Sequence, residues 1–206
     1  MSKRFENWSN SDVVELIETY PFAWIVSNAD RFRATPLPIL LETNEQGAPI
    51  SLVGHFAVSN PQVEAVTADS SALFLFMGPH GYISPSMAGR TNWGPTWNYA
   101  ALRIEAEIDL DPKLNDEVVA RLVRKMERDH SPAWSADQLG ERYNQLIQRI
   151  IAFRAPIRRI DARFKLGQDE SDDVLSAIVE SLAGNGLAHW MQSFNVKRGA
   201  AKSDQV

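Results

Sequence analysis

The side chains able to act as acids, bases, nucleophiles or ligands gather in five short runs. These are ATPLPILLE (34–42), LVGHFAVSNP (52–61), FMGPHGYISPS (76–86), PTWNYAAL (95–102) and RFKLGQD (163–169). The types present already exclude several chemistries. The chain has no cysteine, so it has no thiolate nucleophile, no disulfide and no sulfur-ligated metal. Its four histidines, at 55, 80, 130 and 189, show no metal-ligand spacing. No glycine-rich phosphate loop, serine elbow or committed acid–base pair is visible. Each candidate also has a purely structural reading. His55 and His80 suit hydrogen-bonded positions at a strand end and a turn. Trp97, Tyr99 and Tyr82 suit a core or an interface, and Ser84-Pro85-Ser86 suits a turn.

The whole chain sets the frame for these runs. With 206 residues, 44% hydrophobic and 23% charged, it reads as one globular domain with a helical appendage. The net charge of −5 argues against a broad phosphate-binding surface. A local basic stretch does exist: Arg149, Arg154, Arg158, Arg159, Arg163 and Lys165. Its interleaving with apolar residues reads as the wet side of a strand. The first residues, MSKRFENWSN, lack the apolar stretch of a secretory signal, and no apolar run approaches the ~20 residues that cross a membrane. A cytoplasmic protein is the expectation.

Hydrophobic periodicity then predicts the elements that carry the five runs. A helix starts near Ser9 or Ser11 and ends at Tyr20 before Pro21. Strands follow at Phe22 to Asn28 and at Ala34 to Glu42. The second contains Pro36 and Pro38, whose rings point along one edge and prevent full pairing there. A turn at 44–47 leads into a strand from Pro49 to Phe56. A short helix begins at Asn60-Pro61, and Ala72 to Met77 is a buried strand. Gly78 to Thr96 is rich in glycine and proline, and predicts a long functional loop around a short strand at Tyr82 to Ser84. Trp97 to Leu110 alternates strictly between apolar and charged residues, the mark of a half-buried strand. Two helices make an insertion at about 111–150, the second opened by a Ser135-x-x-Gln138 capping box. Extended structure returns from Ile151 to Leu166, and a last helix spans about Ser171 to Leu182. Residues 1–183 form the domain, and 184–206 form a polar, partly disordered tail. Strands in succession predict an α+β fold, a small antiparallel barrel with flanking helices, rather than a doubly wound parallel sheet.

Taken in order, the five runs resemble the PaiB family of FMN-binding split β-barrels. That family carries a proline strand ending in PFLL, then GHxARANP, QGPHAYISPSWY, PTWNY and KLSQN. The likeness covers about residues 5 to 180, and GPHGYISPS followed by PTWNY is its most specific part. It implies an antiparallel split barrel with a helical C-terminal part, working as a homodimer with FMN at the dimer interface. Position by position, it implies that Thr35, Pro36 and Leu37, with Gly54, His55, Phe56, Ala57, Ser59 and Asn60, line the flavin and its phosphate. Met77, Gly78, His80, Tyr82 and Ser84 lie in the matching loop, Trp97 and Asn98 help to close the pocket, and Lys165 and Gln168 come from the last run. No metal is implied.

The chain departs from the family at defined places. Val58 stands where the family has an arginine. Ser86-Met87-Ala88-Gly89-Arg90 replaces the aromatic loop SWYPSK, Thr35-Pro36 replaces Asn-His, and Gly167-Gln168-Asp169 replaces Ser-Gln-Asn. Arg33, Arg90 and Lys165 are the candidates to replace the lost cation. Three functions stand side by side. The first is a flavin-binding negative transcriptional regulator. The second is a flavin-dependent oxidoreductase related to pyridoxamine-phosphate oxidases or flavin reductases. The third is a degenerate dimer that takes another small ligand. No helix-turn-helix signature appears and the charge is acidic, which speaks against direct DNA binding.

Overall fold

The computed structural model describes residues 3–203. Two proline residues and the amide between them shape the first half of the sheet. β1 (Phe22–Asn28) pairs antiparallel with β2 (Phe32–Pro38), setting Trp24 opposite Pro36 and Phe22 opposite Pro38. The sequence predicts one strand from 34 to 42, but the chain breaks at Ile39. Pro38 ends β2, and the Ile39 amide donates to Pro21 O at 2.8 Å while its side chain is fully buried. The chain resumes as β3 (Leu40–Thr43), which pairs with β4 (Pro49–Ala57) instead of β1.

The remaining strands are β5 (Ser71–Ile83), β6 (Thr96–Glu107), β7 (Asp109–Leu110) and β8 (Ile150–Lys165). Their order is β2-β1-β5-β6-β8-β4-β3, with β7 on β8. β2 and β3 therefore stand at opposite ends of the sheet, yet only Ile39 separates them in sequence. The sheet must curl for one residue to join its ends, which makes it a barrel split between β2 and β3. The prolines of β2 sit on an end strand, as their missing N–H groups require.

The residues fall into two compact units. The first is the barrel, Asn10–Phe76 and Leu102–Asp161. Phe56, Phe74 and Phe153 fill its centre, with ring centroids 5.1 and 6.1 Å apart. A Cβ on Gly54 would come within 2.8 Å of the Phe153 ring, so this glycine exists to let that ring in. α1 (Asn10–Thr19) buries Val13, Leu16 and Ile17. α2 (Pro61–Ala68) is capped by Asn60 and inserts Gln62 among β1 and β2. There the Gln62 amide donates to Ile25 O at 2.9 Å and Ser27 Oγ at 3.2 Å. α3 (Asn115–Met126) lays Val118 and Leu122 on Leu40, Val53 and Ala152. Asn115 fastens that helix to β8, accepting from Ala152 N at 2.8 Å and donating to Ile150 O at 3.0 Å.

The second insertion helix is shorter than predicted. A 3-10 turn over Ala136–Leu139 stops at Gly140, whose φ is +53°, and α4 covers only Arg142–Ile147. The Ser135 side chain makes no capping bond, so the capping box is one of composition only.

The second unit comprises the described residues up to Ser9, Met77–Ala101, and those from Ala162 onward. β5 passes straight through Gly78 and Pro79 to Ile83, so the predicted loop begins only at Ser84. Gly78 and Pro79 are both buried, a break in the alternation that marks an irregularity where strands tolerate proline and glycine. α5 (Asp172–Ser181) follows the turn at Gly167, much as predicted.

The predicted polar tail is instead α6 (Gly186–Ser203). Leu187, Trp190, Met191 and Phe194 recur at helical spacing and are buried, with Trp190 and Phe194 stacked on Phe164 at 6.3 and 5.2 Å. Polar neighbours hid that stripe in the sequence. Residues 204–206 lie outside the described chain.

One ion cluster ties β3, β8 and α3 together. Glu42 accepts from Arg121 at 2.7 Å and from Arg154 at 2.9 and 3.2 Å. Burial pushes its carboxyl up, but the bonds and charges of the two arginines outweigh that and hold it below the usual carboxylate range. A depressed carboxylate stabilises the fold above its unfolded pKa and loses that contribution as pH falls through the folded value. Glu42→Ala is expected to cost about 1–3 kcal/mol in urea unfolding at pH 7. The gap between variant and wild type should close as pH drops below about 4.5, the ordinary glutamate value.

Candidate functional site

The residues implied by the family resemblance divide between the two units. In the barrel, β-strand alternation decides which of them present side chains to a ligand. Thr35 and Leu37 share a face with Ile25 and Ala23, while Pro36 lies on the other face opposite Trp24. Asn60 joins this strand to α2: its Oδ1 accepts from Gln62 N at 2.9 Å and its Nδ2 donates to Thr35 Oγ1 at 3.0 Å. Gly54 and Phe56 point into the core, where the Phe56 ring is fully buried. The positions of this run that reach the surface are Ala57, Val58 and Ser59, with His55 and Asn60 half-buried.

His55 lies opposite Ala152 on β8. Its Nδ1 is sealed from solvent and has no hydrogen-bond partner. Burial lowers its pKa below the usual histidine value, so the ring is held neutral.

In the second unit, α6 covers one face of the strands. Gly81 meets Leu187 there, and Gly167 meets Met191. Asn98 lies on this face too, buried, with its Nδ2 3.6 Å from Met191 Sδ. Gln168 folds back on its own turn, accepting from Leu166 N at 2.8 Å and donating to Phe164 O. Both side chains thus hold the framework. Gly78 is buried, and its carbonyl lies 3.1 Å from His80 Nδ1. Ser84 turns toward Ser86, with 2.8 Å between hydroxyls.

The opposite face carries Tyr82 and Trp97. Their rings meet edge to face at 6.1 Å, and they are 50% and 55% exposed. Met77 is also exposed. Lys165 donates to Thr96 Oγ1 and lies 5.9 Å from the Phe5 ring. Two further cation candidates are engaged by carboxylates: Arg33 by Asp30 and Arg90 by Asp173.

The sequence reading missed one surface. Phe22 and Trp24 of β1 lie in the open beside Leu75 of β5, while Val26 and Leu73 pair next to them on the same face. The signal was there: FAWIV is apolar at every position, as a strand covered on both faces is.

A curled antiparallel sheet joined through Ile39, with an uncovered aromatic pair and a helical C-terminal part, defines a split-barrel protein of the flavin-binding type. The comparisons agree. The family model described as "Putative FMN-binding domain" matches residues 1–159, and the chain belongs to that family. It is 31% identical to "Protease synthase and sporulation protein PAI 2" of Bacillus subtilis, over 68% of this chain and 75% of the relative. It is 29% identical to an uncharacterized protein of Emericella nidulans, over 61% of this chain and 64% of that one. Two solved structures share the fold at low identity. The FAD and heme binding protein from Mycobacterium smegmatis gives a TM-score of 0.58 at 14% identity, covering 82% of this chain and 78% of that one. The flavocytochrome Anf3 from Azotobacter vinelandii gives 0.59 at 12%, covering 78% and 69%.

The family's cofactor is FMN, and the residues present suit it. The uncovered Tyr82–Trp97 pair of the second unit offers the flat, partly apolar surface that a flavin ring system requires.

Two substitutions test this framework. Gly167 has φ +83°, and a Cβ there would sit 2.9 Å from Leu175 Cδ1. Gly167→Ser, which restores the residue of the resembled motif, is expected to cost about 1–2 kcal/mol, read as a lower melting temperature. A histidine with a depressed folded pKa loses its stabilising contribution as pH falls from the unfolded value. Wild type should therefore lose stability below about pH 6.5 in a way that His55→Gln does not, measured by unfolding at several pH values.

Proposed function

We propose that this chain is an FMN-binding homodimer that regulates transcription negatively through a partner protein rather than by gripping DNA itself. The observation that carries the flavin part is the half-exposed Tyr82–Trp97 pair on the face that α6 leaves open. Aromatic rings at 50% and 55% exposure are costly to leave in water and suit a flat ring system. Tyr82 and Trp97 would take the flavin rings. Met77, His80, Ser84 and Lys165 would complete the surround. Asn98 and Gln168 position the strand and turn that carry them. When bound, FMN supplies electron transfer at its ring nitrogens.

The dimer is supported by the open apolar face of Phe22, Trp24 and Leu75, a contiguous patch of the kind that marks an interface. Indirect regulation is supported by the net charge of −5 and by the carboxylate partners of Arg154, Arg158 and Arg159. Likeness to a sporulation protein of Bacillus subtilis supports a regulatory role over a metabolic one. Among the described residues no helix is long and apolar enough to cross a membrane.

Titration of the dialysed protein with FMN tests the reading, followed by flavin absorbance and fluorescence. Saturable binding is expected, weakened about tenfold in Trp97→Ala, the loss that removing one stacking ring brings. A colourless protein indifferent to FMN sinks the proposal. Trp24→Lys should shift the protein from dimer to monomer in sedimentation velocity while its circular dichroism stays unchanged. An unchanged dimer would place the interface elsewhere.

A further inference from the structure

α5 and α6 follow one another in the chain, and an open groove runs between them. α5 turns Val174 and Ile178 into the core. Leu175 and Val179 lie one position further round and are only half-buried, and Val196 of α6 is 65% exposed. These three apolar side chains line a cavity of about 440 Å³. Along α5 its lining runs from Asp172 to Glu180, which at the rise of a helix is about 12 Å, or just over two turns. The α6 wall is fixed in place. Asn195, also in the lining, donates through Nδ2 to Leu166 O at 2.9 Å, which ties the helix to the residue following β8.

The charge of this groove has one sign. Asp172 and Glu180 stand at the two ends of its α5 wall, and none of its lining residues is a lysine, arginine or histidine. Neither carboxylate enters an ion pair among the described residues. Asp173 shows the contrast, since Arg90 and the Ser171 hydroxyl take it up. Two carboxylates without cations, with an apolar strip between them, complement apolar side chains flanked by positive ones. A helix presents such a row, because its side chains at i and i+4 repeat along one face over the same distance as those of α5. A nucleic-acid backbone is repelled by this rim, and a metal ion gains nothing from its apolar strip.

We infer that the α5–α6 groove docks a basic amphipathic helix of a partner protein. Its apolar side chains lie against Leu175, Val179 and Val196, and its arginine or lysine side chains meet Asp172 and Glu180. A partner that itself grips DNA is rich in such cations, because phosphates demand them. The inference rests on the reading that regulation passes through a partner protein, and gives that partner a place and a chemistry. It needs no flavin, and every residue it uses belongs to the second unit.

The probe is a fluorescein-labelled helical peptide of about a dozen residues, with leucines at i and i+4 and arginines at i−3 and i+7, followed by fluorescence anisotropy at fixed salt. Saturable binding to wild type is expected, and none by the same peptide with glutamates in place of its arginines. Glu180→Lys and Val196→Asn should each weaken binding about tenfold with circular dichroism unchanged. Glu45→Lys makes the same change of net charge at an exposed turn of the barrel, and should bind like wild type. Binding that Glu180→Lys and Val196→Asn retain at full strength, or that Glu45→Lys loses as much as Glu180→Lys, overturns the groove as the site. A wild type that ignores the peptide overturns it too, and leaves the flavin titration untouched. Val196→Asn that lowers the sedimentation coefficient of the protein alone would put a second copy in the groove and overturn the partner helix. A gel shift of DNA by this chain alone at physiological salt overturns the reading that regulation needs a partner, and this inference falls with it.

Discussion

The structure depends first on the switch at Pro38–Ile39. Proline has no N–H to offer a neighbouring strand, so β2 ends there. The next amide finds Pro21 O, and the Ile39 side chain is swallowed by the core. That single change of partner carries the chain from the β1 end of the sheet to the β4 end. Everything in the barrel follows from it. Phe56, Phe74 and Phe153 can meet only in a sheet that curls, and Gly54 must lack a side chain so that Phe153 can enter. α3 is then anchored on the outside of the same strands by Asn115 and by the arginines around Glu42.

The second unit obeys a different constraint. Its core is made between strands and helices. α6 stacks Trp190 and Phe194 on Phe164 and covers one face, so that Asn98, Gly81 and Gly167 are committed to packing. With one face closed, alternation forces Tyr82 and Trp97 onto the other. A surface aromatic pair is thus the geometric consequence of a covered opposite side. The departures from the family motif fit the same view. Gly167 is where a left-handed turn passes close to Leu175 and Met191, and loop residue Arg90 is engaged by Asp173 of α5.

Much of the fold was legible in the residues. Alternation in 97–110, the proline pair of β2, the Asn60-Pro61 cap and the apolar stripe of α3 are local signals, and local hydrogen bonding and burial obey them. What misled were signals that tertiary contacts override. Glycine and proline at 78–81 looked like a loop, but neighbouring strands hold that stretch extended. Polar residues around Leu187, Trp190, Met191 and Phe194 looked like a tail, but a helix needs only one apolar stripe to dock. Ser135 and Gln138 matched a capping box, yet Gly140 ended the turn before a helix could use it.

By itself, then, the sequence determined the class: an antiparallel barrel with helical additions and the motifs of an FMN-binding family. Those depend on residue type and spacing, which are fixed along the chain. Only the tertiary structure decided which motif residues face outward and which serve the core. His55 and Phe56 are neighbours in one run, yet one ring is half-buried and the other fully buried, because a strand sends them to opposite faces. Only the tertiary structure, too, set Arg149 beside Val58. Two residues far apart in the chain become neighbours through a backbone hydrogen bond, and the chain order carries no trace of it.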